Sequence, residues 1–131
     1  ESLAMDDGAF PVAAHLRSLR EAGLKLSLDD FGTGHSSLVR LKDIPVSQIK
    51  IDRSFITDME RNARRRAIVR NVIALAVDLG LDVVAEGVEN EAQIKILQDF
   101  GCPKAQGFYF ARPLAFDAAQ RFLKGAPVAA A

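Results

Sequence analysis

The sequence has a single cysteine, no tryptophan and no excess of charge of either sign. One cysteine cannot form an internal disulfide, and it fits a reducing compartment. Lys and Arg together number 17, as do Asp and Glu, and this balance argues against nucleic-acid binding driven by overall charge. No apolar run reaches the roughly 20 residues that a transmembrane helix needs. We therefore expect a cytoplasmic domain that binds neither DNA nor RNA, and a membrane-tethered parent protein remains compatible with the sequence.

The remaining composition suits one globular domain in which strands and helices alternate. The 131 residues are 49% hydrophobic, which excludes a disordered chain and leaves no room for two domains. Strand-like segments occur at residues 24–28, 46–51, 82–85 and 105–110, and helical periodicity occurs at 10–22, 64–79, 91–100 and 116–123. Four strand–helix repeats predict an α/β fold with a parallel sheet. Alternation alone does not decide between an open doubly wound sheet and a closed barrel.

Polar side chains are predicted to gather at one edge of this sheet. Asp29 and Asp30 follow the first predicted strand, Lys50 lies near the end of the second, Glu86 follows the third and Gln106 lies in the fourth. In parallel α/β folds the catalytic groups gather at the carboxyl ends of the strands. The sequence therefore predicts a site that contains three carboxylates, an amine and an amide.

The adjacent carboxylates indicate a site for a divalent cation. Oxygen ligands suit Mg²⁺, Mn²⁺ and Ca²⁺, and a pair of such ions activates water and neutralises a phosphate in many hydrolases. No phosphate-binding glycine loop follows a strand, and no Ser/His/Asp pattern is present. Metal-assisted hydrolysis of a phosphate ester is the reaction class that the residues favour. An aldolase or racemase that uses Lys50 is the main alternative from the residues alone.

Four motifs, in order along the chain, resemble those of the EAL domain family. They are LDDFGTGHSSL at 28–38, IKIDRSF at 49–55, VAEGVE at 84–89 and QGFYFARPL at 106–114. The resemblance implies a phosphodiesterase that hydrolyses cyclic di-GMP to pGpG. It also implies a TIM-barrel-like (β/α)8 fold, of which this chain supplies about the C-terminal half, with four to five strands. Residues 1–124 would belong to that domain, and 125–131 would form an Ala-rich tail.

The resemblance assigns roles to individual residues. Asp29 would bridge two metal ions, Mg²⁺ or Mn²⁺, and Asp30 would bind the second. Lys50 would orient the attacking water, with Glu86 as an acidic group near the metals and Gln106 holding the site or its water. Further roles fall on two sets: substrate contacts from Arg53, Arg112 and Pro113, and a signature loop of Phe31, Gly32, Thr33, Gly34, Ser36 and Ser37 that is anchored by Glu1.

The resemblance is incomplete, since a barrel of this kind needs about 250 residues and the E-A-L motif itself is absent. We therefore expect this chain to be inactive unless the missing half is supplied, and we expect it to form a homodimer. Sensor or GGDEF domains in the parent chain would fit the family. The alternative function is a catalytically inactive receptor or regulatory module that binds cyclic di-GMP.

Overall fold

The computed structural model describes residues 9–31, 41 and 44–125 of the chain. The strands in these residues are β1 (Ser27–Phe31), β2 (Gln48–Ile51), β3 (Asp82–Ala85) and β4 (Lys104–Ala105). The helices are α1 (Ala9–Glu21), α2 (Arg53–Ile56), α3 (Ala63–Asp78), α4 (Glu91–Asp99) and α5 (Phe116–Leu123). In the part of the chain that the structure describes, no helix is both long and apolar enough to cross a membrane.

The four strands form one parallel sheet in the order β1-β2-β3-β4. Each strand thus pairs with the next one along the chain, as neighbouring strands of a (β/α)8 barrel do. An open doubly wound sheet would instead reverse its strand order at a switch point, where its ligand binds. The predicted α/β class and parallel sheet are confirmed, and the strand order is that of a barrel segment.

The hydrophobic core lies between the sheet and helix α3. Alternate residues of β2 and β3 are fully buried, and α3 contributes a buried stripe one turn apart; the core includes Ile49, Ile51, Val69, Ile73, Ala76, Val83 and Ala85. Because successive side chains of a strand point to opposite faces, Lys50 lies on the face of β2 away from this core. Packing on one side of the sheet therefore orients the polar side chains on the other.

Asparagine side chains begin the two crossover helices. The Asn62 side chain accepts hydrogen bonds from the backbone N–H groups of Arg64 and Arg65, and the Asn90 side chain accepts one from Gln93. These bonds satisfy N–H groups that have no partner within the helix. The predicted bounds of α3 are correct to one residue, and the predicted span of α5 is confirmed.

Three predicted strands have different bounds in the structure, and the second, β2, begins at Gln48 rather than residue 46. Strand β1 begins at Ser27 rather than residue 24, because Gly23 and Leu24 complete the C-terminal turn of α1 by bonding to the carbonyls of Arg20 and Leu19. Strand β1 therefore extends to Phe31 and contains both aspartates. Strand β4 ends at residue 105, and residues 106–110 form a turn instead of a strand.

The turn after β4 packs tightly on the loop after β3. The Val88 N–H bonds to the Gln106 carbonyl at 3.0 Å, and the Tyr109 N–H bonds to the Val88 carbonyl at 3.0 Å. Between them, Gly107 has a φ of 157°, and a Cβ there would lie 2.1 Å from the Val88 carbonyl oxygen. Only glycine permits so close an approach of two backbones.

We predict that Gly107→Ala is more destabilising than Gly101→Ala. Gly101 also has a positive φ, 73°, but a Cβ there would meet nothing within 4 Å, so it isolates the conformational cost. That cost is about 1–2 kcal/mol of unfolding free energy. The collision with Val88 should add about 1–3 kcal/mol at Gly107. Chemical denaturation measures both losses, and equal losses would contradict the packing described above.

Candidate metal centre

Three carboxylates meet at the carboxyl ends of β1 and β3. Asp29 and Asp30 lie in β1, and Glu86 directly follows β3. One oxygen atom from each of them lies within 4.8 Å of the others. We call these three residues the acidic cluster. Oxygen atoms at this spacing fit a hard divalent cation, which takes carboxylate ligands in proteins.

A β-bulge directs both aspartates to the same site. Leu28 pairs with Ile49 and Phe31 pairs with Ile51, so β1 has one more residue than β2 between these pairs. In a regular strand Asp29 and Asp30 would point to opposite faces of the sheet. The extra residue removes this alternation, and Asp30 has a φ of 53°, a conformation that aspartate tolerates better than most residues. Bulges of this kind commonly redirect a side chain beside an active site.

The Lys50 ammonium group lies between two carboxylates of the acidic cluster. It donates hydrogen bonds to both oxygens of Asp29, at 3.1 and 3.2 Å, and forms an ion pair with Glu86. The bond to Glu86 raises the pKa of Lys50 above its usual value, the bonds to Asp29 raise it further, and partial burial opposes both. Lys50 is therefore a cationic donor at neutral pH and not a base.

Gln106 also holds Glu86 in place. Its Nε2 donates a hydrogen bond to Glu86 Oε1 at 2.8 Å. The Glu86 side chain is only 15% exposed, and Lys50 and Gln106 both bond to its carboxylate. Its backbone N–H bonds to the Ile51 carbonyl at 3.1 Å, so Glu86 is held at both its backbone and its carboxylate.

A cleft of about 340 Å³ opens beside Gln106, the residue whose side chain bonds to Glu86. Its lining includes the three residues suggested as substrate contacts, Arg53, Arg112 and Pro113. The Arg112 guanidinium carbon lies 4.7 Å from the centre of the Phe108 ring, which stabilises its orientation. The structure thus brings all three residues to one surface next to the acidic cluster.

Arg53 packs against Gly87, and both residues line this cleft. A Cβ on Gly87 would lie 2.4 Å from Arg53 Cγ, so the absence of a side chain at Gly87 makes room for the arginine. Arg53 Nη2 then donates a hydrogen bond to Glu89 Oε1 at 3.0 Å. The sequence shows Glu89 only as the last residue of the motif at 84–89, and it did not predict the ion pair with Arg53.

The predicted signature loop is described only at its first residue. Phe31 is buried in the core as the last residue of β1. The expected loop residues Gly32, Thr33, Gly34, Ser36 and Ser37 and the expected anchor Glu1 lie outside the described residues.

The fold and the site together define an α/β barrel-type domain with a cluster of three carboxylates at its carboxyl-terminal edge. A model of the EAL domain family matches residues 1–113. The chain belongs to the EAL domain family.

Several curated relatives are identical to this chain at nearly half of the aligned residues. The signaling protein YkoW of Bacillus subtilis is 47% identical over 108 residues, covering 82% of this chain and 14% of YkoW. The cyclic di-GMP phosphodiesterase NbdA of Pseudomonas aeruginosa is 47% identical over 109 residues, covering 83% of this chain and 14% of NbdA. The chain thus spans about a seventh of the length of either relative.

Solved structures of EAL proteins share the fold. The EAL domain of Mycobacterium smegmatis DcpA matches with a TM-score of 0.86 and 41% identity, over 93% of this chain and 55% of that one. Klebsiella pneumoniae BlrP1, solved with manganese and cyclic di-GMP, matches with a TM-score of 0.72 and 42% identity, over 76% of this chain and 26% of that one. The agreement confirms that the chain folds as part of an EAL barrel.

We predict that Glu86→Gln lowers the pKa of Lys50 more than Asp29→Asn does. The hydrogen bond to Glu86 is the largest contribution to the raised pKa of Lys50, and Asp29 contributes less. NMR titration of the lysine Cε resonance in metal-free protein measures both changes. A larger fall in Asp29→Asn would contradict the arrangement of charges.

The same raised pKa predicts a loss of stability in alkaline solution. A lysine with a raised pKa in the folded state contributes stability that is fully present below its unfolded pKa, about 10.4, and is lost as pH rises through the folded value. Chemical denaturation at each pH measures the unfolding free energy of wild type and of Lys50→Met. We expect wild type to lose more of it than Lys50→Met as pH rises through this range, and an equal loss in both would contradict the prediction.

Proposed function

We propose that the protein, in its complete domain, hydrolyses cyclic di-GMP to pGpG with the help of divalent metal ions. The single observation that carries the proposal is the acidic cluster, with Lys50 seated between Asp29 and Glu86. The family and the printed activity of the relative NbdA support the substrate.

Asp29 and Asp30 are the residues that would hold the metal, with Mg²⁺ or Mn²⁺ as the ion. Both side chains are exposed, so a hydrated ion can reach them. A divalent ion at such a site lowers the pKa of water and offsets the charge of a phosphate. The BlrP1 complex, which contains manganese and cyclic di-GMP, supports the choice of metal.

The remaining residues of the site position the reactants. Lys50 is protonated, so its N–H bonds can orient a water molecule or stabilise an anionic phosphate oxygen. Glu86 supplies a carboxylate that Lys50 and Gln106 keep in one orientation. Arg53 and Arg112 line the adjacent cleft, where they favour an anionic ligand such as a dinucleotide.

The aldolase or racemase alternative does not fit the state of Lys50. A lysine that forms a Schiff base or removes a proton needs a lowered pKa, which neighbouring cations or a dry apolar pocket provide. Here two carboxylates raise the pKa of Lys50 instead. The receptor alternative, which binds cyclic di-GMP without cleaving it, remains as the second candidate.

The partners and location of the protein belong to the same proposal. The phosphodiesterase would act on cyclic di-GMP in the cytoplasm. Homodimer formation and linked sensor or GGDEF domains would regulate its activity. The domain would span residues 1–124, followed by the tail at 125–131.

We expect the complete polypeptide to convert cyclic di-GMP to pGpG when Mn²⁺ or Mg²⁺ is present and to stop when EDTA is added. Asp29→Asn should lower kcat at least about a hundredfold, because a bound metal contributes several kcal/mol to the transition state. Asp78→Asn, at an exposed position at the end of α3, is the matched control and should retain wild-type activity. Liquid chromatography of the nucleotides measures the product.

The possible results separate the two candidates. Binding of cyclic di-GMP by calorimetry without formation of pGpG would replace the enzyme with the receptor. A protein that neither binds nor hydrolyses cyclic di-GMP would refute both candidates.

A further inference from the structure

Gln93 is an unusual core residue. Among the residues that the structure describes, it is the one polar or charged residue that is buried, with 3% of its surface exposed. It lies in the first turn of α4, on the face that also buries Leu97. Burial of an amide is costly unless its hydrogen bonds are satisfied, so its partners explain why the core tolerates it.

Its partners lie in two different loops. Gln93 Oε1 accepts a hydrogen bond from the Glu89 N–H at 2.8 Å. Its Nε2 donates to the Ile56 carbonyl at 3.3 Å and to Glu60 Oε2 at 3.4 Å. With its acceptor and both donor directions in use, the amide has one favoured orientation. In an ordinary capping box this side chain would bond to the N–H of Asn90, so the bond to Glu89 marks a separate role.

The loop that carries Glu86 is held by three backbone donors. The N–H groups of Glu86 and Val88 bond to the carbonyls of Ile51 and Gln106. The third, the N–H of Glu89, bonds to the Gln93 side chain. Two of the three bonds come from neighbouring backbone, and the third depends on a side chain that mutation can remove.

The Nε2 group of Gln93 bonds to the segment after β2, which includes helix α2 and the turn that follows it. Ile56 is the last residue of α2, the helix that begins at Arg53. The Gln93 amide therefore joins the end of this helix to the loop that carries Glu86 and Glu89. Arg53 and Glu89 make a second link between the same two segments, at the exposed surface.

We propose that Gln93 is a positioning residue for the acidic cluster. It holds the loop of residues 86–89 in the position that keeps the Glu86 carboxylate in the cluster. The inference rests on the proposed function only in that the cluster binds a divalent ion. Gln93 acts through the backbone at Glu89 and touches neither metal nor substrate. Mutation of residues that hydrogen-bond to metal ligands commonly changes metal affinity or activity by about 10- to 100-fold. Gln93 acts one bond further out, through the Glu89 N–H, so we expect an effect at the low end of this range.

The test is a titration of Mn²⁺ into Gln93→Met, followed by electron paramagnetic resonance of the free ion. Methionine retains the volume of glutamine but can make none of the three bonds. We expect the Mn²⁺ dissociation constant to rise about tenfold or more. In an active protein kcat should fall while KM for cyclic di-GMP changes little. Gln98→Met, the same change at an exposed position of α4, is the matched control and should alter neither quantity.

Leu97→Ala separates positioning from simple loss of stability. Leu97 is 2% exposed on the same helix and has no polar role, so its truncation lowers the melting temperature by removing packing alone. Measured well below both melting temperatures, Leu97→Ala should bind Mn²⁺ as wild type does. An equal loss of affinity in Leu97→Ala and Gln93→Met, or wild-type affinity in Gln93→Met, would overturn the proposal.

If Gln93→Met does not fold, Glu60→Gln carries the test. This change leaves the bond to Glu89 intact but removes the charged acceptor of Nε2, so we expect a smaller rise of the dissociation constant. Affinity equal to that of Gln98→Met would then overturn the proposal. A protein that binds Mn²⁺ but forms no pGpG would refute the proposed function and leave this test intact.

Discussion

One extra residue in β1 determines the geometry of the site. The parallel pairing of β1 with β2 would, without it, place Asp29 and Asp30 on opposite faces of the sheet. With it, an oxygen atom of each aspartate lies within 4.8 Å of a carboxylate oxygen of Glu86, the residue that directly follows β3. The positive φ of Asp30 is the local cost of this arrangement, and the pairing on both sides of the bulge sustains it.

The acidic cluster is also a problem of charge. Three carboxylates in so small a space repel one another. Lys50 offsets part of this repulsion by binding Asp29 and Glu86 together. The three negative charges and the one positive charge leave a net negative site, which a divalent cation would neutralise. Lys50 thus stabilises the cluster in the absence of a metal ion.

The parallel sheet and most residues of the site could be predicted from sequence, because strands that alternate with helices and end in polar residues are typical of parallel α/β folds. That Lys50 lies on the face of β2 away from the core follows from the apolar residues on either side of it. The bulge could not be predicted, since the register of two strands depends on packing that Asp29 and Asp30 do not reveal. The early end of β4 could not be predicted either, since it accompanies the packing of residues 106–109 on the loop after β3. The bond between Gln93 and Glu89 could not be predicted, because Gln93 stands where a capping box would direct its side chain to the N–H of Asn90.

The bulge brings two adjacent aspartates to one side of the sheet, where we propose that they bind a metal ion. Anomalous diffraction at the manganese edge, from crystals of the complete domain grown with Mn²⁺, tests it most directly. We expect a manganese peak in contact with Asp29 and Asp30 and close to Glu86. Manganese bound elsewhere, with the two aspartates on opposite faces of a regular strand, would contradict it.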